Sequence, residues 1–181
     1  MVSQSHLRYR IAVFAANDAI LTTLGTLAVL SVLFSAHIVF LAVAAQATIL
    51  SLSLAASGFS LLQNHIISRE KKVPSHSHIL VEHKLGLASE HKHAVFHASA
   101  VIFFSCLLAS AIIIVPFAFV GIELALASSV AIGLTLLLVI GMLKGQLKED
   151  HAYLHGLRQV VFGVLMCVVG YGVGLLLKAF F

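Results

Sequence analysis

The stretch AVFHASAVIFFSCLLASAIIIVPFAF, residues 94–119, carries no Lys, Arg, Asp or Glu and a single histidine. As a helix rising about 1.5 Å per residue, it exceeds the ~30 Å hydrocarbon core of a bilayer. Similar apolar runs lie on both sides of it. Gly121 to Leu143 and Leu157 to Leu177 follow, while Ile11 to Phe34 and His37 to Ile67 precede. Hydrophobic residues make up 60% of the chain and charged ones 10%, against about a quarter charged in soluble domains, so a water-soluble enzyme is excluded. The runs are continuous rather than alternating, which excludes spanning strands that must close into a barrel. The expected fold is an all-α integral membrane protein with five transmembrane helices, a single transmembrane domain over residues 1–181.

The second run is longer than a bilayer needs and is expected to tilt or project from the surface. Its polar positions, Gln46, Thr48, Ser51, Ser53 and Ser57, favour packing against protein over lipid. Basic residues then orient the spans. Arg8 and Arg10 precede the first; Arg69, Lys71, Lys72, Lys84 and Lys92 fall between the second and third; Lys144, Lys148 and Arg158 surround the fourth-to-fifth loop. An odd number of spans gathers all of these on one face and leaves Lys178 for the other. The positive-inside rule makes the N-terminus cytoplasmic and the C-terminus external. The net charge of +4 is thus an orientation signal, and no nucleic-acid partner is expected. The first run is too long for a signal-peptide core and no cleavage site follows, so it is expected to be retained. Cys106 and Cys167 both fall within spans and read as small packing residues without a disulfide framework.

Ionisable groups inside spans are expensive, about 2.5–3.5 kcal/mol at a helix centre on insertion scales. Asp18 is the leading case. It reads either as a carboxylate facing an aqueous path, holding a proton and a cation in turn, or as an N-cap with Asn17 at the start of the true span. Thr22, one turn on, shares its face. Glu123 opens the fourth span, where a carboxylate suits the helix dipole. His37 is expected at the interface, and Gln46, deeper, in an interhelical hydrogen bond. The GxxxG spacings Gly141–Gly145 and Gly170–Gly174 permit close helix packing and give weak support for a dimer.

Seven of the eleven histidines lie between His65 and His97, and residues 68–93 form a short His-rich segment expected in the cytoplasm. If the segment before the third span is helical, Glu90, His93 and His97 fall on one face at i, i+3 and i+7. With His65, His76, His78 and His83 they offer imidazole and carboxylate ligands to Fe²⁺, Mn²⁺, Zn²⁺, Co²⁺ or Ni²⁺. The other reading is a solvated basic loop beside anionic headgroups, its charge modulated by histidine. The spacing matches no closed zinc motif.

Val13-Phe-Ala-Ala-Asn-Asp-Ala-Ile-Leu-Thr-Thr23 resembles the first-helix signature of the vacuolar iron transporter family, approximately V-F-G-A-N-D-G-L-V-T-T. Leu134 to Gly145, Leu157-Arg, Gly163, Gly170 and Pro116 continue the likeness. What the resemblance implies is a homodimer whose first helices line a central path and exchange Fe²⁺, Mn²⁺ or other divalent ions for protons. Asp18 matches the family's first-helix aspartate at the transport site. The second helix departs from the pattern S-M-x-x-G-E-Y. Aligned without gaps, Leu54 stands at the methionine and Gly58 at the glutamate; shifted, Leu61 and His65 do. The cytoplasmic insert is also reduced, with glutamates largely giving way to histidines.

The functional expectation is a proton-coupled divalent-metal exporter, iron or manganese first, in a bacterial inner membrane or an organelle membrane. Asp18, Thr22, Gln46, Gln63 and Asn64 would line its path, and the histidines would gather metal as substrate, with no permanently bound cofactor. The alternative, motivated by the replaced methionine and glutamate, is a family member that has lost transport and serves as a membrane scaffold or accessory subunit. No catalytic-triad, HExxH, phosphate-loop or redox-cysteine pattern suggests an enzyme.

Overall fold

The computed structural model describes residues 4–70, 80–146 and 152–180, and the side chains of residues 12–60, 95–146 and 152–180. The chain forms α1 (Gln4–Leu33), α2 (Ala36–Glu70), α3 (Leu80–Ile114), the single-turn α4 (Pro116–Phe119), α5 (Ile122–Gln146) and α6 (Ala152–Phe180). There is no strand among the described residues. Five stretches are long and apolar enough to cross a membrane: Ala12–Leu33, Ala36–Ser60, Val95–Phe119, Ile122–Gln146 and Ala152–Phe180. The molecule is a helical integral membrane protein.

Several helices outrun the apolar runs that define them. α3 begins at Leu80 and carries residues 80–93 of the His-rich segment into the span without a break. α5 continues to Gln146, and α6 starts at Ala152, ahead of Leu157. Hydropathy marks where hydrocarbon begins, whereas the backbone ladder stops only where a breaker or a turn stops it. Pro116 is one such breaker. It has no N–H to donate and its ring crowds the carbonyl four residues back, so α3 ends at Ile114 and resumes after Val115 as α4. The Val115 N–H still reaches Ala111 O at 3.1 Å, and Ala118 bonds back to Val115 O at 3.0 Å. The kinked turn seats Phe117, 1% exposed, in the main core.

α1 is the central helix, packing against α2, α3, α5 and α6. Ile20, Leu24 and Leu27 enter one cluster with Val39, Val43, Ile113, Phe117 and Leu137. Ala15 and Ala19 enter a second with Ile102 and Cys106, so Cys106 is a packing residue. The outer surfaces are apolar too: Phe104, Leu108, Phe119 and Phe180 are exposed. Water would not tolerate such a surface, but lipid tails do.

Because lipid is as apolar as leucine, the bundle is held by close packing of small residues. The residues that α6 buries are Gly156, Gly163, Gly170 and Gly174. α5 buries Ala125, Ser129, Gly133, Leu137, Gly141 and Gly145, one per turn, together with Lys144. A Cβ on Gly141 would stand 2.6 Å from Gly156 Cα, and one on Gly145 would stand 2.5 Å from Ala152 Cα. Further along the same face of α6, a Cβ on Gly170 would stand 2.5 Å from Gly25 O and one on Gly174 2.8 Å from Val29 O. Both GxxxG spacings therefore make contacts within this chain, joining α5 to α6 and α6 to α1.

Ser51 and Ser99 bond back to their own helices, whereas the buried Ser129 Oγ has no hydrogen-bond partner among the described residues. Ser51 donates to Ala47 O at 2.7 Å and Ser99 to Val95 O at 3.1 Å. Thr23 donates to Ala19 O at 2.6 Å, which leaves its oxygen to accept from Ser110 Oγ, 3.1 Å away on α3. A double-mutant cycle of Thr23→Val and Ser110→Ala, read by reversible unfolding in micelles, is expected to give a coupling of about 0.6 kcal/mol, the usual size for interhelical hydroxyl pairs in membranes. A coupling of zero would mean that the two oxygens are merely neighbours.

Candidate ion path along the first helix

α1 is unbroken from Gln4 to Leu33. Asn17 and Asp18 therefore sit inside the helix, and the expected alternative of an N-cap is corrected: both residues have helical neighbours on either side. Asp18 is exposed, as is Phe14 one turn before it, while Thr22 one turn after is half-buried. The i, i+4, i+8 spacing puts the three on one face of α1. Thr22 Oγ1 donates to Asp18 O at 2.8 Å, with Ala19 O at 3.1 Å. Its hydrogen is thus tied to the backbone, and only its lone pairs remain to meet a ligand.

Beyond Thr22 lies a cavity of about 520 Å³ between α1, α2 and α6. Its polar lining comes from Thr22, Thr26 and Gln46, set among Leu21, Val29, Met166 and Val169. Gln46 Oε1 is buried with no hydrogen-bond partner among the described residues, as is Asn17 Oδ1. The expected interhelical bond to Gln46 Oε1 is not made among the described residues. Thr26 was missed from sequence, although its place one turn after Thr22 and two after Asp18 would have found it.

Other sequence candidates separate into two groups. Gln63, Asn64 and His65 lie on the helical backbone of α2, and His83, Glu90 and His93 on that of α3, but their side chains lie outside the described residues. Unbroken helix from Leu80 gives Glu90, His93 and His97 the i, i+3, i+7 register; His97 itself is exposed. His76 and His78 lie outside the described residues. No group of three His, Cys, Asp or Glu that could hold a metal occurs among the described residues. Asp18 and Glu123 are the only carboxylates among the described side chains, and Glu123 lies in the first turn of α5.

The positions aligned without gaps to the missing methionine and glutamate are spent on packing. Leu54 packs against the cluster of Ala15, Ala19, Ile102 and Cys106. A Cβ on Gly58 would stand 2.6 Å from Ile102 Cδ1, so α3 already fills the space into which a longer side chain would grow. Lys144, which the sequence groups with loop charges, is instead buried at 8% exposure in the last turn of α5. Its Nζ lies 4.3 Å from the centroid of the Phe14 ring.

A family model, that of the VIT family, matches residues 60–175, from the end of α2 through α6. The chain belongs to the VIT family. The matched segment takes in Pro116 and the glycines of α5 and α6; the first-helix motif stands ahead of it. No curated protein matches the chain. VIT family members are metal ion transporters rather than enzymes, which fits a carboxylate carried into the membrane on the central helix.

Proposed function

We propose that this protein exchanges divalent metal ions, Fe²⁺ or Mn²⁺ first, for protons, and that it works as a homodimer. The observation that carries this reading is Asp18: an exposed carboxylate on an unbroken spanning helix, one turn from a cavity lined by Thr22, Thr26 and Gln46. A single carboxylate is a poor site for a divalent ion, which usually takes several oxygen or nitrogen ligands. A two-fold axis beside α1 would bring two copies of Asp18, Thr22, Thr26 and Gln46 together. Two carboxylates can then hold either protons or one M²⁺, and that exclusion couples the two fluxes. The unpartnered Gln46 Oε1 would serve as a neutral oxygen ligand along the way. With the basic ends of the helices in the cytoplasm, the His-rich segment would gather metal there and the flux would run outward.

The test is uptake of Fe²⁺, Mn²⁺, Zn²⁺, Co²⁺ and Ni²⁺ into proteoliposomes under an imposed pH gradient. Gradient-dependent uptake above that of empty liposomes is expected, with Fe²⁺ or Mn²⁺ fastest. Folded protein that moves none of the five would overturn the exchanger reading and favour the scaffold one, for which the replaced second-helix ligands already speak.

A further inference from the structure

A buried lysine at a helix end ordinarily extends its ammonium to water. Lys144 instead lies over the ring of Phe14, 4.3 Å from its centroid. Its place is fixed by the α5–α6 hairpin: Gly141 and Gly145, on either side of it in sequence, meet Gly156 and Ala152 at backbone contact. Phe14 is half-exposed and sits one turn before Asp18 on the same face of α1, at the end of the helix that carries Arg8 and Arg10. The largely apolar cavity into which Thr22, Thr26 and Gln46 bring oxygens lies on the opposite side of Asp18, beyond Thr22. Asp18 is thus flanked by an aromatic ring on its basic side and by oxygens on the other.

The geometry points to a gate: Lys144 holds the Phe14 ring across the basic-side approach to Asp18, so that the carboxylate is closed on that side until the ring swings away. An exchanger needs such a barrier, because a site open to both faces at once lets the ion leak down its gradient without a proton. The inference rests on the exchanger reading. Phe14 is the gate, and Lys144 acts through it as a positioning residue. The attraction between a cation and an aromatic face strengthens on desolvation, and 8% exposure provides that.

The test compares two rates in proteoliposomes loaded with the intact protein: metal uptake driven by a pH gradient, and metal equilibration with no pH gradient. Phe14→Leu keeps an apolar side chain of similar bulk at a half-exposed position and removes the π face. It and Lys144→Gln are expected to raise the gradient-free leak about tenfold. Lys144→Arg and Phe14→Tyr, which keep a cation over a ring, are expected to keep the leak at the wild-type level. The double variant should leak no more than either single one, since both break the same contact. Wild-type leak in Phe14→Leu, with gradient-driven uptake intact, would overturn the gate and leave the exchanger standing. Equal leak in Lys144→Arg and Lys144→Gln would do the same, because a structural role alone would not distinguish the cation. A wild-type protein that moves no metal would instead remove the exchanger reading on which the gate rests.

Discussion

The Asp18→Asn protein is expected to fold, elute and resist heat like wild type in detergent, yet to lose gradient-driven metal uptake down to the empty-liposome level. Asparagine keeps the shape and one oxygen of the side chain and removes its charge. Insertion into the bilayer becomes easier, since a neutral amide costs less in hydrocarbon than a carboxylate. α1 is a continuous helix through this position, so no cap is lost and the fold has no reason to suffer. What disappears is the group that can bind a proton or share a cation. Interactions with a charged ligand are each worth about 1.5–3 kcal/mol, or about 10- to 150-fold in binding. A two-fold site would lose that twice. Asp18→Glu, which moves the carboxylate by one methylene, is expected to retain partial uptake with a raised KM. Uptake at the wild-type rate in Asp18→Asn would remove this residue from the mechanism and leave Gln46 and the threonines without an ionised partner.

The second large effect is structural. Gly170→Leu is expected to prevent α1 and α6 from closing, and Gly170→Ala to lower the temperature at which the detergent-solubilised protein aggregates. The Cβ of residue 170 would stand 2.5 Å from Gly25 O and 3.2 Å from Ala28 Cβ. The first of these is backbone on the central helix, which cannot rotate aside as a side chain can. Overpacking of this kind costs about 1–3 kcal/mol for a methyl group and more for a branched side chain. Gly172, two residues along the same helix, has nothing within 4 Å of its Cβ position. Gly172→Ala is therefore expected to be neutral or to raise stability slightly, alanine being the better helix former by about 1 kcal/mol. Size-exclusion elution after a temperature series separates these results. Equal loss in the two alanine variants would mean that α6 does not approach α1 through Gly170.

The number of spans was open to reading from the chain, and so was Asp18 as the carboxylate most worth attention. Both follow from one-dimensional facts. The bilayer sets how many consecutive apolar residues a span needs, and a charge inside such a run stands out without knowledge of any neighbour. Family resemblance could likewise be seen in order along the chain, at Pro116 and at the glycines from Gly141 to Gly170.

Tertiary structure decided what each polar or small residue does. Whether Asn17 and Asp18 begin a helix or lie within one is settled by the unbroken backbone of α1, because either residue is compatible with both states. The glycines of α5 and α6 gave no sign of their partners. Lipid and protein interior are equally apolar, so spanning helices show no amphipathic stripe to tell an inward face from an outward one. Only the packed bundle reveals that Gly141 meets Gly156 and that Gly170 meets Gly25. Gln46 and Lys144 follow the same rule. The sequence places the first inside a span and the second at its edge, but the lack of a partner for Gln46 Oε1 among the described residues and the ring beneath Lys144 depend on helices far away in the chain. Hydropathy is a property of a segment, whereas burial and contact belong to the assembly of segments.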